Sequence, residues 1–228
     1  MEIILTKCLF ITGTDTKVGK TFISIILLQL TKKLGFNSIG YKPIATDCKF
    51  TKYGLRNNDA LLLKKNSNIK LYYNIINPYN FLDKTSPNII SERIKNPISL
   101  YKISSILKYI KKKTNLIIIE GIGGWLTPIS KIKKFSDWVI KEQISIILVV
   151  GIKLGCINHA LLTVESIKNK GLILKGWIAN NISNKNIWHK KYIKTLKQNL
   201  NIIFLGEIPY FKKKNNIKSW KYINFNYI

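Results

Sequence analysis

Phe10–Thr21, Phe-Ile-Thr-Gly-Thr-Asp-Thr-Lys-Val-Gly-Lys-Thr, carries an apolar strand into a glycine-bounded turn that opens a helix. That order decides the fold. A strand that feeds a helix through a short loop is half of a βαβ unit, and such units build parallel sheets. The stretch also implies a chemistry. A loop wrapped around a helix N-terminus aims several backbone N–H groups at one point, where the helix dipole is positive, so it suits phosphate oxygens. Lys20 adds a mobile cation and Thr21 a hydroxyl suited to Mg²⁺.

The spacing departs from the common phosphate-loop pattern, G-x-x-x-x-G-K-[ST]. Thr14 stands where the first glycine belongs and Gly13 lies one place earlier, so the loop is one residue longer. The plainer alternative is a strand-turn-helix junction with a fortuitous Gly-Lys-Thr, and the flanking strand and helix count against it.

Outward from this stretch, strands are expected at Lys7–Thr12, Ser38–Lys42, Asn115–Glu120, Ser145–Gly151, Ile173–Ala179 and Ile202–Leu205. Helices are expected at Lys20–Leu34, Asn57–Lys65, Leu100–Lys112, Asn158–Lys170 and Lys185–Leu200. Leu71–Leu82 reads as a connection and Thr85-Ser86-Pro87 as a loop signal. The alternation implies one α/β domain, residues 1–228: a three-layer, doubly wound, mostly parallel sheet flanked by helices. No internal repeat is evident, and Lys212–Asn216 is the one low-complexity segment.

Two strand ends add polar groups at the edge where open α/β sheets bind ligands. Lys42-Pro43-Ile44-Ala45-Thr46 closes the second strand. Glu120 closes the apolar run Leu-Ile-Ile-Ile and leads into Gly121-Ile122-Gly123-Gly124-Trp125. A carboxylate at the tip of a buried strand is costly without a cation or metal, so Glu120 is a candidate Mg²⁺ ligand rather than only the start of a turn. Asp59, near a helix N-terminus, has two readings: a dipole partner, which the residues alone favour, or a metal or nucleotide ligand.

The formal charge of +27 is the strongest compositional signal, and alone it suggests nucleic acid or an anionic membrane. Dispersed lysines, with Arg56 and Arg93 as the only arginines, argue for a solvated surface instead. Abundant Lys, Asn, Ile, Tyr and Phe match A/T-rich codons. No apolar run reaches membrane-spanning length, no secretory signal is evident, and the three cysteines lack metal-ligand spacing. A cytoplasmic protein with reduced thiols is expected, with no membrane and no specific nucleic-acid partner.

Gly13–Thr21, Gly40-Tyr-Lys-Pro43, Glu120-Gly-Ile-Gly-Gly-Trp-Leu-Thr-Pro128, Val149–Ala160 and Gly206-Glu-Ile-Pro209 together resemble the successive motifs of the dethiobiotin synthetase family, in the family's order and across nearly the whole chain. The resemblance implies a phosphate-loop NTPase-like fold. It also implies a homodimer with a composite active site that closes a ureido ring on 7,8-diaminononanoate, using CO₂ or bicarbonate, ATP and Mg²⁺. It assigns Lys20 and Lys42 to catalysis, and Thr21, Asp59 and Glu120 to the metal. ATP falls to Lys17, Val18, Gly19, Lys20, Thr21 and Phe22, to Asp59, and to Glu120, Gly121, Ile122 and Gly123. Asn180, Asn181, Pro209, Tyr210 and Phe211 frame the adenine. Thr16 and Thr46 meet the diamine or carbamate. Gly155, Cys156, Ile157 and Asn158 open a helix whose N–H groups bind the substrate carboxylate from the partner subunit, with Cys156 a packing residue. Departures from the family pattern are Lys17 for a common Glu, Thr46-Asp47 for Ser-Gly, Asn88 for His and Ile122 for Ala. A partition-type or nucleic-acid-associated ATPase leaves Lys42-Pro43, the Gly-Gly-Trp-Leu-Thr-Pro run and the Gly-Cys-Ile-Asn helix start unexplained. A related amidoligase requires a glutamine-hydrolysing domain for which the chain is too short.

Overall fold

A computed structural model describes residues 6–184, 187–212 and 219–227. In chain order the elements are β1 (Lys7–Gly13), α1 (Lys20–Lys33), β2 (Ser38–Tyr41), β3 (Ile44–Ala45), β4 (Lys49–Thr51), β5 (Gly54–Arg56), α2 (Asn58–Asn66), α3 (Tyr73–Ile76), β6 (Tyr79–Asn80) and α4 (Pro87–Arg93). They continue with α5 (Leu100–Lys111), β7 (Leu116–Glu120), α6 (Phe135–Lys141), β8 (Ser145–Gly151), α7 (Cys156–Lys168), β9 (Leu174–Asn180), α8 (His189–Asn199) and β10 (Phe204–Ile208).

Six strands form one parallel sheet in the order β10-β9-β8-β1-β7-β2. Its strands are apolar on successive residues because both faces are covered. Phe10, Ile117 and Ile119 pack with Ile103, Leu107 and Trp138 of α5 and α6. Their neighbours Leu9, Ile11 and Ile118 pack with Ile23, Ile26 and Leu27 of α1. A third cluster joins Leu148 and Trp177 to Val164 of α7 and Leu196 of α8. Helices on both faces of a parallel sheet make the three-layer, doubly wound architecture expected of the sequence.

The winding reverses at β1, whose neighbours in the sheet are β7 and β8. Consequently the carboxyl ends of β2, β7, β1 and β8 lie side by side, and the residues that leave those four ends share one edge.

Most element ends shift by a residue or two from expectation, α8 starts at His189 rather than Lys185, and the β4–β5 hairpin, α3, β6, α4, α6 and the full extent of β10 were hidden. Ser86-Pro87, a loop signal in sequence, starts α4, because proline is well placed in a first helical turn where its missing N–H costs nothing. Seven-residue α6 is too short to show a helical period. The last strand runs Phe204–Ile208 rather than Ile202–Leu205; polar Glu207 masked its continuation, where it pairs with Ala179. The first two residues of the expected helix Lys185–Leu200, and most of the low-complexity Lys212–Asn216, lie outside the described residues. Among the described residues no helix is long and apolar enough to cross a membrane.

Candidate active site

Two residues of the loop after β1 take left-handed backbone conformations, Lys17 at φ 60° and Gly19 at φ 98°. Gly19 is the N-cap of α1. Neither Gly13 nor Gly19 has room for a side chain: a Cβ would lie 2.5 Å from Val18 Cγ2 in the first case and 2.1 Å from Asn180 Nδ2 in the second. Asn180 Nδ2 donates to the Val18 carbonyl at 2.8 Å, so the tip of β9 braces the loop from beneath. Lys20 lies in the first turn of α1 with its ammonium on the Asp15 carbonyl at 2.9 Å. Burial, and then Lys42, push its pKa down to about 8, against the pull of Glu120, Asp15 and Asp59.

Adjacent strand ends bring the second cation and the carboxylate together. Lys42 follows β2 and Glu120 ends β7, its neighbour. Lys42 Nζ donates to Glu120 Oε1 at 2.7 Å and to the Gly121 carbonyl at 2.8 Å. Thr21 Oγ1 donates to the same carboxylate oxygen at 2.8 Å. Lys42 is 4% exposed and Glu120 1%. Burial raises the Glu120 pKa and Asp59 adds to the rise, while Lys42 and Thr21 oppose it.

Glu120 Oε2 is buried without a hydrogen-bond partner. An orphaned carboxylate oxygen beside a hydroxyl and a second carboxylate fits a hard cation, since Mg²⁺ takes one or two carboxylates together with substrate phosphates. Thr21, Asp59 and Glu120 are the donors that fit. Asp59 lies in the first turn of α2, capped by Asn57, whose side chain accepts from the Ala60 N–H and donates to the Thr46 carbonyl. The same bond fixes Thr46 against α2.

These groups line one cleft of about 900 Å³, together with Thr16, Lys17, Gly19, Phe22, Ile122 and Gly123. Val18 is buried beneath the loop, and Gly121 offers its carbonyl to Lys42. At the far end Phe211 meets Phe22 edge-on with ring centroids 6.1 Å apart. Asn181 Nδ2 donates to Glu207 Oε1 at 2.8 Å, and its buried Oδ1 has no partner. Neither asparagine, nor Pro209, Tyr210 or Phe211, is among the residues lining the cleft. Ser219 and Trp220 are, and the sequence reading did not single them out.

The helix start lies apart from this cleft. Gly155, left-handed at φ 85°, is the N-cap of α7, which begins at Cys156, two residues earlier than expected. Cys156 is buried and burial raises its pKa, which makes it a packing residue rather than a nucleophile. Ile157 and Asn158 complete the first turn. Lys153 from the β8–α7 junction reaches the loop as an ion pair with Asp15 at 2.6 Å. Both lie within motifs the sequence reading singled out, Gly13–Thr21 and Val149–Ala160, but it gave neither a role. Of the departures, Asp47 adopts φ 61° and pairs with Lys84 at 3.4 Å. Asn88 Oδ1 accepts from Ser86 Oγ at 2.6 Å.

Comparison with known proteins agrees with this geometry. Residues 7–218 match the model of an AAA domain family. The chain is 45% identical over 221 residues to the ATP-dependent dethiobiotin synthetase BioD 1 of Escherichia coli strain K12, covering 96% of this chain and 98% of that protein. It is 46% identical over 220 residues to the ATP-dependent dethiobiotin synthetase BioD of Baumannia cicadellinicola, with the same two coverages, 96% and 98%. Among solved structures, the Pyrococcus furiosus cell division ATPase MinD aligns with TM-score 0.59 at 14% identity, covering 95% of this chain and 94% of that one. A ParA family ATPase from Chlorobium tepidum aligns with TM-score 0.54 at 14% identity, covering 92% and 86%. At such identity these two likenesses concern the fold alone.

Proposed function

The chain belongs to the ATP-dependent dethiobiotin synthetase family and is an ATP-dependent ligase of biotin biosynthesis, and from that premise we propose a division of labour among its site residues. One amine of 7,8-diaminononanoate takes up CO₂ and loses a proton to become a carbamate. A carbamate oxygen attacks the γ-phosphorus of ATP as the bond to ADP breaks. The second amine then attacks the carbonyl carbon of the carbamic–phosphoric anhydride, loses a proton and expels phosphate, closing the cyclic urea.

The observation that carries this reading is the setting of Lys42. Two of its three N–H groups are held by Glu120 and Gly121 and its side chain is buried, which fixes the ammonium and leaves one donor for charge that grows on the carbamate and phosphoryl oxygens. A preorganised donor in a dry site stabilises a transition state more than a solvated one does. Lys20 and the loop N–H groups hold the polyphosphate. Thr21, Asp59 and Glu120 would hold Mg²⁺, which would supply positive charge to offset that of the polyphosphate. Thr16 and Thr46, both lining the cleft, position the diamine.

The adenine falls to the far end of the cleft, where Phe22, backed by Phe211, and Trp220 supply the aromatic wall. Gly155–Asn158 receives the substrate carboxylate on the free N–H groups of α7, contributed by the second protomer of a homodimer. The whole chain works as one cytoplasmic domain, and its excess of lysine is solvated surface with no specific nucleic-acid partner.

Purified protein incubated with ATP, Mg²⁺, bicarbonate and 7,8-diaminononanoate should yield the cyclic urea by mass spectrometry, with one ADP per ring. ATP hydrolysis without the urea would reject the reading. The composite site has its own test. Asn158→Ala should raise the diamine's KM and leave ATP binding unchanged. Mixing it with Lys42→Ala under subunit exchange should restore activity through one intact half-site per heterodimer. No recovery would place the whole site within one chain.

A further inference from the structure

Gly13 of the phosphate loop pairs in register with Val149 of β8, and the Thr14 N–H donates to the Val149 carbonyl at 3.1 Å. Further along, Gly151 has no room for a side chain, because Val18 of the loop fills that space; a Cβ there would lie 2.9 Å from Val18 Cγ1. The loop and the β8–α7 junction are therefore packed against one another before any charged group is considered. One ion pair then bridges them, Lys153 Nζ to Asp15 Oδ2 at 2.6 Å.

Asp15 is engaged on all three of its oxygens. Its Oδ2 takes Lys153, its Oδ1 accepts the Thr16 N–H at 2.6 Å, and its main-chain carbonyl accepts the Lys20 ammonium at 2.9 Å. Lys153 is tied on its other side, since its carbonyl accepts the Cys156 N–H at 3.1 Å at the start of α7. A chain of bonds thus runs from the phosphate-binding lysine through Asp15 and Lys153 into the first turn of α7.

As a source of stability the pair is weak. Both side chains are 39% exposed, and ion pairs of that kind contribute little. Its geometric consequence is larger. Without Lys153 the Asp15 carboxylate is left with cations such as Lys20, already seated on the same residue's carbonyl and within its electrostatic reach, and an aspartate that captures Lys20 competes with phosphate for it.

We propose that Lys153 and Asp15 are positioning residues that hold the phosphate loop and the α7 start in one arrangement, so that the nucleotide and the diamine's carboxylate are bound by a single preset frame. This inference rests on the function proposed above for the second of those two ligands. It holds whether α7 serves the cleft of its own chain or that of the other protomer.

The test is the KM of both substrates in Lys153→Met, Lys153→Arg, Asp15→Asn and the double variant Lys153→Met/Asp15→Asn. Lys153→Met should raise the KM of ATP and of the diamine each at least about threefold, with kcat within about twofold and Tm lowered by less than about 4 °C. Lys153→Arg should restore both KM values, which a role in general stability would not require. In the double variant the ATP KM should be no higher than in Lys153→Met, because the neutral amide cannot capture Lys20. A rise in neither KM or in only one, an arginine variant that behaves like methionine, or a double variant equal to the product of its singles would each overturn the pairing. Calorimetric titration of the same variants with ATP and Mg²⁺ reads the nucleotide arm without turnover. If the wild type makes no cyclic urea, the functional reading fails, and the pair stands or falls on whether Lys153→Met weakens that titration and Lys153→Arg restores it.

Discussion

The phosphate end of the cleft and its far end are built by different means. At the phosphate end Lys42 and Glu120 leave the tips of adjacent strands of the central sheet, Lys20 and Thr21 open the helix that follows β1, and Lys42 and Thr21 converge on one Glu120 carboxylate oxygen at 2.7–2.8 Å. At the far end the wall comes from the side of α1 and from the chain's last described segment. Trp220 sits beneath Lys33, whose ammonium is 3.7 Å from the ring centroid, and Phe211 packs on Phe22 and Tyr222 by edge and tilted contacts. A backbone bond from the Asn224 N–H to the Leu205 carbonyl ties that segment to β10. Parallel strands fix the positions of groups that must act on reacting atoms, whereas aromatic packing of a terminal segment suffices for a group that only has to enclose a base. Losses at the first end should therefore reach the chemistry, with or without affinity, and losses at the second should fall on affinity alone.

The largest effect is expected of Lys20→Ala. It removes the cation from the loop and leaves Glu120 and Asp59 facing the polyphosphate with less positive charge, so turnover should fall below detection in a coupled ADP assay. Residual activity within tenfold of wild type would mean that the backbone N–H groups suffice.

A pH series sharpens the same point. The free enzyme's Lys20 has a pKa of about 8, depressed below the ordinary lysine value by burial and by Lys42. Its charged form predominates below that pH and is lost above it, while bound phosphate favours the charged form. The KM of ATP should therefore be flat below pH 8 and rise toward tenfold per pH unit above it. A flat profile to pH 9.5 would contradict the assignment.

The smallest effect belongs to the far end. Phe22→Ala removes one aromatic wall and its contact with Phe211, so the KM of ATP should rise roughly three- to tenfold with kcat unchanged, a loss of about 0.5–1.5 kcal/mol. A kcat that falls in parallel would show that the two ends are not separable.

The same contrast explains what the sequence made legible. Gly13–Thr21, Lys42 and Glu120 could be read because phosphate and metal chemistry restrict residue types at fixed offsets from a strand tip. The parallel architecture followed from alternating apolar runs. Asp59 could not be decided from its residues alone, since a carboxylate in a first helical turn has an ordinary explanation; its place in the cleft with Glu120 favours the ligand reading, which the spacing did not. Asn180 was expected at the base, yet its amide is spent on the Val18 carbonyl, a contact across 162 residues that no local pattern encodes. Trp220 and Ser219 lie in a segment whose composition carries no motif, and their position depends on a tight fit at Gly206, where a Cβ would lie 1.9 Å from the Tyr222 carbonyl oxygen. The Lys153–Asp15 pair is of the same kind, because one lysine among many has no signature until the fold places it.

The central claim is that Lys20 holds the nucleotide while Lys42 acts on the reacting atoms, and Lys42→Ala tests it most directly when nucleotide affinity and turnover are measured on the same preparation. The account predicts an ATP dissociation constant within about threefold of wild type and a kcat lower by about 10²–10³-fold, as expected when one preorganised donor is removed from a developing oxyanion. Near-normal kcat, or a loss of ATP affinity large enough to account for the loss of rate, would contradict it.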